Sequence, residues 1–176
     1  HIPSSVTMMF GSIETPEEIV LHLIRVRELQ DETGGFTAFI PWSYQPGNTA
    51  LGGESSTGVE YLRVLALSRI LLDNIENIQA SWVKIGFDGV RQLLQSGAND
   101  VGGTLIDESI SRAAGADHGQ QVTEADLSRL VEPLGRSLQQ RTTLYKPVTR
   151  ATRLTVNRAD DGRVLIPVVG ASNNLR

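Results

Sequence analysis

The sequence predicts an α/β fold: four parallel strands with outer helices, fitting half of a TIM-type (β/α)8 barrel. Three observations predict it. Short apolar runs bounded by glycine or proline recur at residues 6–10, 36–40, 78–83 and 100–101. A segment with helical periodicity follows each run. The strand–helix units are about 20 to 40 residues long, and right-handed crossovers then impose parallel pairing. A small doubly wound sheet fits less well, because no glycine-rich phosphate loop follows any of the runs.

The first strand, Val6 to Phe10, ends at Gly11. Thr15-Pro16-Glu17-Glu18 then starts a helix. Thr15 can accept from the Glu18 amide, Glu18 closes a capping box, and Pro16 suits the first helical position. Gly34-Gly35 stop this helix after about Glu32. Its apolar stripe, Ile19, Val20, Leu23, Ile24 and Val26, is interrupted by Arg27.

Phe36 to Ile40 reads as a buried strand closed by Pro41. Ser43 to Ser56 is polar and glycine-rich. At about 14 residues it exceeds the usual connection and reads as a functional loop. Thr57 with Glu60 repeats the capping logic and opens a helix to about Leu72, apolar over most of its surface and expected to be well covered. Residues 78–83 form the third strand and Gly86 to Gln95 a shorter helix. Asp100-Val101 is a fourth short strand before Gly102-Gly103. Helices are expected over Asp107 to Ala114 and, capped by Thr123, over Glu124 to Val131. The tail differs: residues 154–169 alternate apolar and polar around Asp160-Asp161-Gly162, a β-hairpin signal. The expected organisation is therefore 1–148 as the half-barrel and 149–176 as a separate tail.

Composition bounds the chemistry. The chain has 176 residues, 40% apolar and 20% charged, which is ordinary for one globular domain. A net charge of −4 argues against nucleic acid as the main partner. With no cysteine, disulfides, thiolate catalysis and cysteine-ligated metals or clusters are excluded for this chain. No apolar run is long enough for a transmembrane helix, and no signal peptide is visible, so a cytoplasmic location is expected. A start at His1 points to a fragment or a processed chain.

Strand ends carry the candidate chemistry, because in a barrel they converge on one mouth. They are Gly11-Ser12-Ile13-Glu14, the run from Trp42 to Thr49, Gln79-Ala80-Ser81-Trp82, and Asn99 to Thr104. The bland alternative is that Glu14 caps the next helix and that Asn99-Asp100-Gly102 is turn chemistry. Trp42 and Trp82 could wall a flat ligand or plug the mouth; the residues leave both open. His1, His22 and His118 lack metal spacing; His22 reads as a surface or packing residue and His118 as a solvated loop residue. There is no nucleophile elbow and no Walker loop.

Several strings resemble the C-terminal half of a radical S-adenosylmethionine enzyme. They are HIPSSVTMMFGSIET, LQDETGGFTAFIPWSYQPGNT, TGVEYLRVLALSRILLDNI, IQASWV and GANDVGGTLIDE. The family they resemble is cyclic dehypoxanthine futalosine synthase (dehypoxanthine futalosine cyclase) of the futalosine route to menaquinone, with aminofutalosine synthase and the deazaflavin synthase subunits as relatives. FIPW with Gln-Pro-x-Asn-Thr, and QASWV, point to that member.

The resemblance implies a barrel in which a [4Fe-4S] cluster cleaves S-adenosylmethionine, and a radical closes the spiro ring of dehypoxanthine futalosine. It implies Glu14, Tyr44, Gln45 and Asn48 as cofactor-facing residues. It implies Ser81, Asn99, Asp100 and Thr104 as substrate-facing ones. The family's Cys-x3-Cys-x2-Cys motif is absent here, so the cluster belongs to a missing N-terminal half, the expected partner, and the chain alone should be inactive. Ser12 replaces a usual histidine and Asp107 a usual glutamate, and residues 84–89 diverge. The competing expectations are a truncated, non-catalytic half-barrel and a fragment of the sister aminofutalosine synthase.

Overall fold

The computed structural model describes residues 2–104, 109–115 and 122–148. Four strands form one parallel sheet in the order β1-β2-β3-β4: β1 Ser4–Phe10, β2 Phe36–Ser43, β3 Asn77–Ala80 and β4 Asp100–Val101. Between them run α1 Pro16–Thr33, α2 Gly58–Leu71 and α3 Trp82–Gln95; after β4 come α4 Ile110–Ala113 and α5 Glu124–Val131.

The capping boxes form as the spacing dictates. Thr15 accepts from the Glu18 amide and Thr57 from the Glu60 amide; Thr123 does the same with Asp126. Gly34 ends α1 in the left-handed conformation at φ 58°, and its amide bonds back to Gln30.

Alternation along the strands decides which side is core. Met8 and Phe10 of β1, Phe39 and Pro41 of β2, and Ile78 and Ala80 of β3 are buried, as are Leu23 and Val26 of α1, Tyr61 and Leu65 of α2, and Val90 and Leu93 of α3. The opposite face carries Thr7, Met9, Ile40, Trp42, Gln79 and Asp100, by the registers Thr7↔Ile40, Met9↔Trp42 and Gln79↔Asp100.

Boundaries differ from expectation at four places. β1 begins at Ser4 rather than Val6, the Ser4 amide donating to the Gly35 carbonyl. β2 runs on through Pro41 to Ser43, because the Pro41 carbonyl receives the Tyr61 hydroxyl and the Tyr44 amide still bonds Phe10. β3 stops at Ala80, so Trp82 and Val83 are helical rather than extended. Gly86, at φ 69°, breaks α3 internally, and the helix expected to begin there begins at Trp82. The expectation that α2 is covered all round is also corrected. Its core side is Tyr61, Val64, Leu65 and Ser68, while Val59 and Ile70 are exposed.

The N-terminal ends of the strands are tied down by side chains. Gln30 pairs both backbone groups of Phe36 and reaches the Asn74 carbonyl. Arg27 donates to the Leu71 carbonyl and pairs with Asp73.

The chain divides into two compact units, His1–Arg136 and Ser137–Arg176. In the described part of the second, Arg141 and Pro147 form an antiparallel bridge and the Arg141 guanidinium lies 3.7 Å from the Tyr145 ring centroid. The hairpin expected in 154–169, and residues Asp107 and His118, lie outside the described residues.

Candidate functional site at the C-terminal end of the sheet

Each parallel strand delivers its following loop to the same end of the sheet. β1 delivers residues 11–15. The Glu14 carboxylate turns back to accept from the Gly11 amide and from the Ser12 amide and hydroxyl. Partial burial opposes its ionisation, but these hydrogen bonds outweigh it and hold its pKa below the ordinary carboxylate value. Gly11 sits at φ 84°, and a methyl group there would overlap the Ser56 hydroxyl, so the end of β1 and the end of the long loop are in direct contact.

β2 delivers that loop. The Tyr44 hydroxyl meets the Thr49 hydroxyl, and Gln45 donates to the Ser43 hydroxyl at 3.2 Å. Asn48 Nδ2 donates to the Ala113 carbonyl at 2.8 Å, joining this loop to α4. Gly47 and Gly115 stand so close that a methyl group on Gly115 would lie 3.2 Å from Gly47 Cα.

The two tryptophans split. Trp82 is 2% exposed, packs edge-on against Phe87 and donates to the Gly103 carbonyl at 3.2 Å, so it is packing. Trp42 is 43% exposed on the open face, with the Lys84 ammonium 5.9 Å from its ring centroid. Lys84 also donates to the Ser111 hydroxyl. One side chain thus links the end of β2, the first turn of α3 and α4.

On the same face, beside Ile40 and diagonal to Trp42, lies a polar pair. Gln79 Nε2 donates to Asp100 Oδ2 at 2.7 Å across β3 and β4. Among the described residues no group of His, Cys, Asp and Glu is arranged to hold a metal ion. The chain also has no cysteine, so its residues do not fit as ligands of a [4Fe-4S] cluster.

The structure places seven of the eight expected site residues at this end. Glu14, Tyr44, Gln45 and Asn48 lie in the loops after β1 and β2; Ser81 is the N-cap of α3; Asp100 is on the open face; Thr104 is exposed just beyond β4. Asn99 is not among them. It precedes β4, where its Oδ1 accepts from the Ile78 amide and Arg69 and its Nδ2 donates to the Glu76 carbonyl, all at the N-terminal end of β3. Its amide closes the ladder instead of facing the mouth. Gln79, named among the strand ends but not among the eight, lies on the open face with Asp100, and Met9 and Lys84, not expected there, flank Trp42. The alternation of β3 explains the placement of Gln79: a polar residue between two buried apolar ones points to the face away from the helices.

A family model described as the CofH/MqnC C-terminal region matches residues 33–154. A 5-amino-6-(D-ribitylamino)uracil–L-tyrosine 4-hydroxyphenyl transferase 1 of Methanosarcina barkeri is 46% identical over 155 residues, covering 84% of this chain and 41% of that protein. The corresponding transferase of Methanocaldococcus jannaschii is 47% identical over 154 residues, covering 82% of this chain and 42% of that protein. An FO synthase of Nocardia farcinica is 46% identical over 153 residues, covering 84% of this chain and 18% of that protein. The chain therefore spans about two-fifths of the length of the two transferases.

These names overturn the expected dehypoxanthine futalosine cyclase and its place in menaquinone synthesis. Several residues of the strings that point to that member do scaffold work. Pro41 anchors Tyr61, Trp82 is buried, and Asn48 fastens a loop. Packing and strapping of this kind do not depend on the substrate, and the family description itself joins two names. The chain belongs to the family of the CofH/MqnC C-terminal region.

Proposed function

We propose that the chain is the C-terminal half of a radical S-adenosylmethionine barrel. Its complete enzyme transfers the 4-hydroxyphenyl group of L-tyrosine to 5-amino-6-(D-ribitylamino)uracil, in the cytoplasm. The observation that carries this reading is the 46–47% identity to transferases of that name over 154 to 155 residues, a stretch that takes in most of the described structure. The parallel sheet with one open face, and polar loops gathered at its C-terminal end, supports the barrel half. Among the described residues no helix is long and apolar enough to cross a membrane.

In this reading the cluster and its bound S-adenosylmethionine supply the radical, and thiolates outside this chain hold the cluster. This chain's residues shape and close the mouth. Glu14 holds the turn after β1 and Asn48 straps the β2 loop to α4. Tyr44 and Gln45 shape the loop that faces the cofactor. Ser81, Asp100 and Thr104 stand on the substrate side.

The test is an anaerobic assay of the full-length enzyme, reconstituted with iron and sulfide and given S-adenosylmethionine, ribitylaminouracil and L-tyrosine. The expected product carries the tyrosine-derived 4-hydroxyphenyl group and disappears when either substrate is omitted. Turnover of S-adenosylmethionine to 5′-deoxyadenosine without such a product would move the chain to another reaction of the same chemistry.

A further inference from the structure

We infer that the open face at β2 and β3 is a subsite for a planar heterocycle with an imide edge, with Trp42 as the stacking surface and Gln79 as the hydrogen-bonding partner. The inference rests on the proposed transferase reading, in which that heterocycle is the uracil ring of ribitylaminouracil.

The Trp42 backbone is held from both sides: Tyr61 donates to the Pro41 carbonyl at 2.5 Å, and the Tyr44 amide donates to Phe10 at 2.8 Å. Its ring is nevertheless left 43% exposed, and its cross-strand neighbour Met9 is 56% exposed. A strand that presents an indole and a thioether side by side on the helix-free face, the interior face of the proposed barrel, is an apolar floor of the kind flat ligands cover. The Lys84 ammonium lies 5.9 Å from the centroid of the indole.

The floor turns polar on the next strand. The pairs Ala38↔Asn77 and Phe39↔Ile78 continue to place Gln79 beside Ile40, diagonal to Trp42 on the same face. The bond to Asp100 fixes the carboxamide, with Nε2 toward β4. Its Oε1 then lies on the Gly102 side, where a methyl group would sit 3.8 Å from that oxygen and 3.3 Å from the Trp82 ring. A carboxamide offers an acceptor and a donor on one edge, which matches the N–H and C=O of an imide. The neighbouring Asp100 carboxylate favours a ring edge and appended hydroxyls that donate, and opposes the acceptor nitrogens of an adenine.

Steady-state kinetics of the full-length enzyme test this, with each reactant varied in turn. Trp42→Ala should raise the KM for ribitylaminouracil about tenfold, as loss of one stacking partner does. The KM values for L-tyrosine and S-adenosylmethionine should not move, and Trp42→Phe should restore most of the loss, which a misfolded variant could not do. Gln79→Glu should raise the same KM, because a carboxylate cannot donate to the imide carbonyl. A rise confined to the KM of S-adenosylmethionine would put adenine on this floor, and a fall in kcat alone would make both residues structural; either overturns the inference. If the wild type makes no product, the transferase reading fails. Equilibrium binding of ribitylaminouracil, weakened about tenfold in Trp42→Ala if the subsite exists and unchanged if it does not, then decides the inference by itself.

Discussion

Arg69 Nη2 donates to Asn99 Oδ1 at 3.0 Å, and through this bond α2 grips the point where the chain enters β4. The same guanidinium donates to the carbonyls of Gly97 at 2.8 Å, Ile75 at 3.3 Å and Glu76 at 3.3 Å. Asn99 completes the clamp by receiving the Ile78 amide at 2.8 Å. The clamp gathers the N-terminal ends of β3 and β4, on the side of the sheet away from the candidate site. In parallel barrels that side serves stability and the other serves chemistry.

Arg69→Met should therefore destabilise the fold by about 2 kcal/mol, since several carbonyls lose a charged donor at once. Asn99→Ala should act in the same direction by about 1 to 2 kcal/mol, because the Ile78 amide loses its acceptor. Denaturant midpoints measure both. The KM of every substrate should stay at its wild-type value in the folded variants; a selective KM change in Asn99→Ala would return that residue to the binding site.

Gly11→Ala should be among the most damaging single-methyl changes in the chain. It puts a side chain at φ 84° and drives it into Ser56. The cost should be about 2 kcal/mol or more, from strain and overpacking together. Ser56→Gly should recover part of that loss only when combined with Gly11→Ala. A double-mutant cycle on thermal or urea unfolding reads the coupling directly, and simple additivity would show that the two residues do not meet.

The Glu14 carboxylate gives the turn after β1 an acid limit. Burial opposes its charge, but the Ser12 hydroxyl and the amides of Gly11 and Ser12 lower its pKa from 4.5. A carboxyl group lowered on folding contributes stability that is present above its unfolded pKa and is lost as pH falls through the folded one. Stability of the wild type should thus exceed that of Glu14→Gln by a constant margin at neutral pH. The margin should shrink only below about pH 4.5, as urea midpoints measured across a pH series would show. A margin that already shrinks between pH 7 and pH 5 would contradict the arrangement.

Much of the architecture was legible because its causes are local. Thr15 with Glu18, Thr57 with Glu60 and Thr123 with Asp126 start helices by satisfying their own first-turn amides, so four-residue windows contain the whole argument. The glycine-bounded apolar runs became strands of one parallel sheet because the intervening helices leave no other connection. The family was legible from its strings, but its member was not. Pro41, Trp82 and Asn48 fulfil packing and strapping duties that do not depend on the substrate.

The sequence by itself determined the element order, the capped starts of α1, α2 and α5, the parallel topology and the absence of thiolate ligands. The tertiary structure alone decided which face of each strand is covered, and with it the site. Trp42 and Trp82 follow similar apolar runs, yet the register with Met9 turns one outward, while the Gly102 turn admits the other to the core. Asn99 and Asp100 are neighbours in the chain, yet one closes the N-terminal end of the sheet and the other pairs with Gln79 on the open face. The reason is physical: hydrophobic periodicity reports that a face will be buried, but which neighbour buries it is fixed only when strands from distant parts of the chain come into register.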